Sequence, residues 1–451
     1  MNRSVEPKEK IRLSDHFTYG RLIRFTLPAI SSMMFSSVYG VVDGIFVSNF
    51  TGGIPFAALN LIIPYVMFFV SLAYMLGNGG CALVAFTLGR GEKKKANELF
   101  SLIVYSTAAA GLAFSVFGFL TTGTAAGILG ADSKMMPYCI TYAQINFIGL
   151  VPFMLQIVFQ SFLVTAEKPK LAFGTTVAAG VTNMVLHAVL VWLLGLGIVG
   201  AAWSTVISQI VGCAIPLVYF IVPNSSLLRL GTTRWYGREM LKTATNGSSE
   251  FLSNVSISLV NMLYNYQLMI YAGRQGVAAY GIIMYTNFVF VGSFYGYSVG
   301  SAPVIAYDHG AENRSELKNV FTKSLKMIGI AGTCATVSSI LLAPVLSLIF
   351  SGGDASLSAM TENAIRIYSF NYLFIGFNIF ASAFFTALNN GGISALISVL
   401  RTLVFQIAAV MLLPLIFAIN GIWMSIVTAE LCAILVSAAC VILLRKRYGY
   451  L

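Results

Sequence analysis

Apolar residues fill long, nearly unbroken stretches of this chain, and polar residues are confined to the short intervals between them. A bilayer core of about 30 Å requires roughly 20 apolar residues in a helix that rises about 1.5 Å per residue. Twelve stretches reach this length, and they lie near residues 22–48, 57–86, 98–121, 136–165, 171–194, 198–222, 244–271, 278–307, 319–343, 363–387, 392–417 and 421–444. The pattern predicts an all-α integral membrane protein of twelve transmembrane helices joined by short loops.

Composition agrees with this prediction. Of the 451 residues, 57% are hydrophobic and only 10% are charged, which leaves too little polar surface to cover a water-soluble globule. The first apolar stretch has no Ala-x-Ala cleavage site, so we expect it to be kept as helix 1 rather than removed as a signal peptide.

The basic residues that produce the net charge of +11 are distributed according to membrane orientation, and they do not indicate a nucleic-acid partner. Twenty-three of the 27 Lys and Arg residues lie in the two termini and in the loops after helices 2, 4, 6 and 8, which share one side of the membrane. Cytoplasmic loops carry such an excess of basic residues. We therefore expect a multi-pass protein of the cell membrane with both termini in the cytoplasm.

The two halves of the chain resemble each other. At an offset of 221 residues, 11 of the 52 positions from 50 to 101 are identical, where this composition would give about 4 by chance. Gly79 and Gly89, for example, align with Gly300 and Gly310. Six helices are an even number, so both halves begin on the same side and are related by a pseudo-twofold axis along the membrane normal. The predicted parts are a tail (1–18), an N-lobe (19–222), a linker (223–243), a C-lobe (244–444) and a C-terminal tail (445–451).

Ionisable residues inside spans are candidates for function because they are costly in lipid. Asp43 lies in helix 1, and Asn183 and His187 lie one turn apart on helix 5, at a depth that Asp43 can share. A carboxylate beside an imidazole would form a proton-responsive pair. The alternatives are that water reaches Asp43 near the membrane surface and that helix–helix hydrogen bonds satisfy a lone His187.

The C-terminal half holds further polar candidates. Glu250 lies near the start of helix 7 in a run of small polar residues, and we treat it as a second site. The alternative is an acid of the inner leaflet paired with Lys242 or a nearby base. Arg401 and Glu430 lie at nearly equal depth on helices 11 and 12, which favours a structural ion pair.

Helices 7 and 8 are rich in aromatic and methionine residues, which suits an adaptable surface that holds flat cations. The candidates for lining the cleft between the lobes are Tyr39, Met262, Asn265, Tyr285 and Asn378. Pro28 removes a backbone hydrogen bond from helix 1 and is a candidate kink.

The motifs that bind nucleotides or metals are absent from the sequence. It has no phosphate-binding loop of the G-x-x-x-x-G-K-[ST] type, and its six cysteines are scattered singly without the spacing of a metal site. We therefore expect no cofactor, no metal site, no enzymatic activity, and transport driven by an ion gradient.

Several short segments, in this order and spacing, resemble the multidrug and toxic compound extrusion (MATE) family, and the resemblance covers residues 20 to 445. The segments are Pro28, Val42–Val47, Ala57-Ala58-Leu59, Gly77–Gly79, Gly89-Arg90-Gly91, Ala96, Phe159-Gln160, Thr165–Pro169, Asn183-x-x-x-His187, and the Gly197 to Thr205 run. The bacterial branch that includes the DinF and MepA transporters is the most similar.

The resemblance implies two six-helix lobes and export of organic cations and other amphipathic drugs against protons or sodium, with Asp43 as a coupling residue. In the family, the residue four after the helix 5 asparagine is usually Asp or Asn, and here it is His187. The loss of an oxygen ligand favours protons over sodium. Asn183 and His187 would then tune Asp43, and Glu250 would assist from the C-lobe.

The alternative function is a flippase for lipid-linked oligosaccharides or cell-wall precursors. A pyrophosphate lipid requires several basic residues in the cavity, and Arg401 alone lies within a span. The expected partners are small organic cations and membrane lipid, and a monomer is expected.

Overall fold

The computed structural model describes residues 11–224, 226–350 and 354–450, except for the side chains of Val41 and Ile45. All the regular structure in these ranges is helical. The first half contains α1 (Tyr19–Phe50), α2 (Gly53–Gly89), α3 (Lys93–Ile128), α4 (Met136–Ile148), α5 (Leu150–Thr165), α6 (Pro169–Leu186) with a π-helical continuation (His187–Leu193), and α7 (Gly197–Ile221). The second half contains α8 (Gly237–Gly310), α9 (Arg314–Phe350), α10 (Ala355–Tyr368), α11 (Tyr372–Ala387), α12 (Gly391–Val399) with a π-helical continuation (Leu400–Val404), α13 (Phe405–Leu412) and α14 (Pro414–Tyr448).

The described helices account for twelve membrane spans. Ten helical stretches are long and apolar enough to cross a bilayer, and α4 with α5 forms an eleventh span that is bent by 56°. The twelfth comes from α8, whose 74 residues would extend about 110 Å at 1.5 Å per residue, far more than one bilayer. Its backbone breaks at Gly273 (φ 58°, ψ −149°), which separates α8a (237–272) from α8b (274–310). The predicted all-α fold with twelve spans is confirmed.

The breaks and bends of the helices have identifiable local causes. Gly273 adopts a positive φ that a residue without Cβ tolerates. Pro152, four residues after Ile148, has no N–H to donate to the Ile148 carbonyl, so the helix bends between α4 and α5. At the start of α10, the Asp354 carboxylate accepts hydrogen bonds from the Ser356 and Leu357 amides.

The helices extend beyond the predicted spans. The end of the predicted linker, residues 237–243, is already helical in α8, and α14 continues to Tyr448 through most of the predicted C-terminal tail. Hydropathy marks the limits of the hydrocarbon layer, whereas a helix with Lys and Arg at its end continues into the headgroup region. Residues 1–10, 225 and 451, which belong to the predicted tails and linker, lie outside the described residues.

Glycines bring α2 of the first half into backbone contact with α8 of the second half. A Cβ added at Gly247 would lie 1.9 Å from the Met75 carbonyl oxygen. At Gly89 it would lie 2.1 Å from the Tyr307 oxygen, and at Gly310 it would lie 2.1 Å from the Phe86 oxygen. Gly89 and Gly310 are the equivalent positions of the repeat. Each packs on the other's helix, so the pseudo-twofold axis passes between α2 and α8b.

The two lobes separate toward the opposite end of the molecule. Along α1, close packing against α8b continues to Ser37, whose Oγ donates to the Phe288 carbonyl oxygen at 3.1 Å. Farther along, a Cβ at Gly40 would have no atom within 4 Å, and at Gly44 the nearest is the Tyr285 hydroxyl at 4.0 Å. The lobes are therefore in tight contact near the termini and diverge at the other end.

The segment before α1 is bonded to both halves. The buried Leu13 amide donates to Glu167 Oε1 at 2.9 Å in the turn between α5 and α6. The buried Phe17 amide donates to Glu316 Oε1 at 2.8 Å in the first turn of α9. This segment therefore joins the lobes at the same end as the glycine contacts.

The glycine contacts predict opposite outcomes for one substitution at two positions. Gly174→Ala on α6 places a methyl group in open space and should stabilise the protein by about 0.5–1 kcal/mol through helix propensity. Gly247→Ala forces a methyl group into the Met75 carbonyl and should destabilise it by about 1–3 kcal/mol. Apparent melting temperatures in detergent provide the comparison. Equal melting temperatures for the two variants would contradict the backbone contact.

Candidate functional sites in the two lobes

Asp43 on α1 and His187 at the end of α6 lie in contact. Asp43 Oδ1 is 2.5 Å from His187 Nε2. The imidazole is completely buried, whereas the Asp43 side chain is 31% exposed. Neither atom has an aligned hydrogen bond, so the contact is a close ion-pair approach. The structure thus brings these two predicted residues together and leaves one side of the carboxylate accessible.

The surroundings of the imidazole define its protonation. His187 Nδ1 lies 3.0 Å from the Asn183 carbonyl oxygen. A carbonyl oxygen only accepts, so Nδ1 carries a hydrogen. A neutral ring would then present the Nε2 lone pair to an anionic oxygen at 2.5 Å, which is repulsive. The contact is therefore favourable only when one of the two atoms carries a proton.

Asn183 contacts His187 through its backbone, in a mostly apolar surrounding. Its side chain is buried, and its Oδ1 has no hydrogen-bond partner among the described residues. The Phe46 ring lies 6.2 Å from the imidazole, centroid to centroid. Tyr39 packs against Gly180, where a Cβ would lie 3.0 Å from its ring. The buried Asn183 carbonyl oxygen is thus an acceptor that faces little competition from water, whereas the Asp43 carboxylate stays partly accessible.

A π-helical segment begins at His187 and ends at Leu193. Such segments are rare, occur often at functional sites, and rotate the following side chains relative to an α-helix. The second π-helical segment, Leu400–Val404, carries Arg401, which is likewise a buried basic residue. The fifth helix of each lobe therefore departs from α-helical geometry where it presents a basic side chain.

A cavity of about 560 Å³, a volume that includes its open side, lies in the C-lobe against α2. Its polar lining combines both signs of charge, with Glu250 from α8a and Arg401 from the fifth helix of the lobe. The remaining lining residues are Asn78, Cys81, Ser253, Tyr295, Ser298, Val299, Ala302, Ile379, Ser382, Ala383, Thr386 and Ser398.

Arg401 connects this cavity to a buried acid behind it. Its Nη1 lies 3.4 Å from Glu430 Oε1, and its Nη2 lies 3.3 Å from the Tyr295 hydroxyl. The predicted Arg401–Glu430 ion pair is confirmed. Glu250 lies within electrostatic range of Arg401, and the predicted alternative partner, Lys242, is exposed on the first turns of α8.

The residues predicted to line the cleft do not lie together in the structure. Asn378 does not line the cavity, because it is completely buried behind it and donates to Glu430 Oε2 at 2.8 Å. Met262, Asn265 and Tyr285 are exposed on α8, where the lobes diverge. Pro28 lies inside α1, which is one continuous helix.

The cavity also contains residues that the sequence analysis missed. Asn78 and Cys81 of α2 line it together with Val299 and Ala302 of α8b. These are equivalent positions of the repeat, 221 residues apart. The pseudo-twofold axis brings both pairs to one place, so the repeat itself was the signal that could have identified them.

Comparison with known proteins agrees with this architecture. The MatE family model matches residues 28–193 and, a second time, residues 251–412. The chain belongs to the MATE family. The two matched regions fall in the two halves of the internal repeat, and members of the family are membrane transporters.

Individual relatives are distant but match along the whole chain. The multidrug export protein MepA of Staphylococcus saprophyticus is 22% identical, and the alignment covers 94% of each chain. A MATE crystal structure in complex with MaL6 has a TM-score of 0.91 at 20% identity and covers 96% of this chain and 98% of its own. An outward-facing multidrug resistance MATE transporter also has a TM-score of 0.91, at 21% identity, and covers 98% of this chain and 100% of its own. The fold of this MATE protein is thereby established.

The contact of Asp43 with His187 predicts an energetic coupling that a double-mutant cycle measures. Removal of one partner leaves the other unpaired. The double variant Asp43→Asn/His187→Gln should therefore be less destabilised than the sum of the two single variants. We expect a coupling of about 1 kcal/mol or more in denaturant unfolding in detergent. The exposed pair Arg366–Glu362 is the matched control and should couple by less than about 0.5 kcal/mol. Additive effects at Asp43 and His187 would show that the contact is absent.

Proposed function

We propose that this MATE protein is a proton-coupled multidrug exporter of the cell membrane, with both termini in the cytoplasm. It exchanges organic cations and amphipathic drugs for protons. The family membership and the name of the MepA relatives support multidrug export. The proposed proton coupling rests on the 2.5 Å contact of Asp43 with His187.

The contact provides a direct mechanism of exchange. The proton that the pair holds neutralises the site, and the partly exposed Asp43 carboxylate faces an incoming cation. When the cation binds to Asp43, it neutralises the carboxylate in place of the proton, and the proton leaves. His187 then stays neutral, with its Nδ1 hydrogen on the Asn183 carbonyl. Because cation and proton compete for one negative charge, their binding is mutually exclusive, as antiport requires.

The divergence of the lobes supports the direction of transport. With cytoplasmic termini, the glycine contacts close the cytoplasmic end and the cleft opens outward. An outward-open transporter takes up protons and has released its drug, which fits a proton-loaded pair. The opposite state requires separation of α2 from α8, and Pro28, which lacks an N–H within α1, is the proposed hinge for the movement of Asp43.

Protons are favoured over sodium because of the donor atoms at the site. Hard cations prefer oxygen ligands, and His187 supplies a nitrogen where an oxygen ligand would be needed. In the C-lobe, Glu250 provides a second carboxylate at the cavity and is proposed to assist as a second proton or cation site.

Transport in proteoliposomes tests this proposal. With ethidium as substrate and an imposed proton gradient, the wild type should exchange ethidium for protons. Asp43→Asn should reduce this exchange at least tenfold, because an amide cannot carry the proton at neutral pH. Glu362→Gln, which removes an acid from the Arg366 pair on α10, is the matched control and should transport like the wild type.

Three results would argue against the proposal. If Asp43→Asn exchanged ethidium for protons at the wild-type rate, Asp43 would be excluded as the coupling residue. Exchange driven only by a sodium gradient would show that the coupling ion is sodium and not the proton. No response to any organic cation under either gradient would favour the lipid flippase.

A further inference from the structure

Asp308, near the end of α8b, is a buried acid whose charged neighbour is another acid. It lies one residue beyond the predicted span 278–307. Its side chain is 2% exposed, and its Oδ2 has no hydrogen-bond partner among the described residues. Burial, and next the nearby Glu316 carboxylate, raise the pKa of Asp308 to about 8. A buried acid beside a second acid keeps its proton, because the charged form would lose its hydration and be repelled.

Asp308 belongs to the closed end of the molecule, by which we mean the end that carries the glycine contacts and lies near the termini. It lies two residues before Gly310, where a Cβ would be 2.1 Å from the Phe86 carbonyl oxygen of α2. The ring of His309 packs on the rings of Phe86 at 5.3 Å and of Tyr448 on α14 at 5.6 Å, centroid to centroid. Separation of the lobes at this end would break the contacts with α2 and admit water to Asp308.

Glu316, the acid beside Asp308, also holds the segment before α1. Its Oε1 accepts from the Phe17 amide at 2.8 Å, and its Oε2 lies 2.7 Å from His16 Nδ1. Lys323 of the same helix donates to the Phe17 carbonyl oxygen at 2.7 Å. The same short segment is also bonded to the N-lobe. Separation of the lobes at this end therefore breaks one of the two attachments.

The repeat shows that the fold does not require an acid at this position. The residue equivalent to Asp308, 221 positions earlier, is Thr87. Thr87 is also buried, and its hydroxyl donates to the Leu83 carbonyl oxygen of its own helix at 2.8 Å. A threonine hydroxyl does not titrate near neutral pH. Of the two equivalent positions, the one in the C-lobe therefore carries the titratable group.

We propose that Asp308 is a proton-binding site of the closed end, which holds a proton while the two lobes are in contact there and releases it when they separate. Opening of this end is then coupled to proton release, so acid keeps the end shut and a rise in pH favours opening. In a proton-coupled exporter with cytoplasmic termini, this slows proton import when the cytoplasm is already acid. The inference rests on the lobe separation that the proposed function requires and adds a control by pH to it.

The direction of the effect follows from the two environments of the carboxyl group. In the closed form the pKa of Asp308 is about 8, whereas an aspartic acid in water has a pKa of about 4. The proton therefore favours the closed form fully below about pH 4, and this advantage falls as the pH rises to about 8. Within that range, opening becomes more favourable by up to about tenfold for each pH unit, and above about pH 8 the dependence levels off.

Hydrogen–deuterium exchange of the segment before α1 tests the inference on the full chain in lipid nanodiscs. The Leu13 and Phe17 amides are bonded to the two lobes, so their exchange reports on opening of the closed end. Mass spectrometry gives their protection relative to the intrinsic exchange rate at each pH between about pH 6 and about pH 9. The wild type should lose protection by about tenfold per pH unit up to about pH 8 and little beyond it.

Two variants remove the titratable group and keep the site neutral. Asp308→Asn has the shape of the protonated acid, and Asp308→Thr, which copies the equivalent position of the N-lobe, replaces it if the first variant does not fold. Each should keep its protection across the whole pH range. Glu92→Gln is the matched control, because it removes a 39% exposed acid from the corresponding loop between α2 and α3. It should show the wild-type pH dependence.

Two results would overturn the inference. One is a wild-type protection that does not change with pH. The other is a pH dependence that persists in the Asp308 variants, which would assign it to another titratable group, such as His16 beside Glu316. Failure of the proposed function is distinguishable from both. It would appear as absence of gradient-driven ethidium exchange in proteoliposomes, whereas amide exchange requires neither a substrate nor a gradient.

Discussion

A charge inside a bilayer must be paired or must face a cavity, and this constraint organises both lobes of the protein. In the N-lobe it brings Asp43 and His187 together. In the C-lobe it joins Arg401 to Glu430 and places Glu250 at the cavity wall. The rest of each lobe is an apolar scaffold that holds these few groups at their positions.

The backbone contacts between α2 and α8 determine where such groups can be reached. At Gly247, Gly89 and Gly310 the helices touch without side chains between them, so the lobes close firmly at one end. From Gly40 onward α1 and α8b are no longer in close contact, and at Gly44 only the Tyr285 hydroxyl comes as near as 4.0 Å. The partly exposed Asp43 lies on that portion of α1. Closure at one end and access at the other are thus consequences of where the glycines stand along the helices.

The repeat gives both lobes the same arrangement of helices, but the buried basic side chains differ between them. In each lobe the fifth helix changes to π-helical geometry, at His187 in the N-lobe and at Leu400 in the C-lobe. The basic groups differ, since an imidazole exchanges its proton near neutral pH and a guanidinium does not. The N-lobe pair therefore fits the proposed proton exchange, whereas the C-lobe guanidinium keeps a fixed positive charge.

The sequence by itself determined the number of spans and the two-lobe repeat, because both follow from hydrophobic length and from residue identity at a fixed offset. It also singled out Asp43, Asn183, His187 and Glu250 as candidates, because polar residues in lipid are rare enough to be conspicuous. It did not reveal that the backbone carbonyl of Asn183 contacts His187, or that Asn378 lies behind the cavity. Those features depend on side-chain direction, and the π-helical segments change that direction without a pattern in hydropathy. Only the tertiary structure decided which polar groups meet, since a contact across helices far apart in the chain depends on packing distances of a few ångströms that periodicity does not encode.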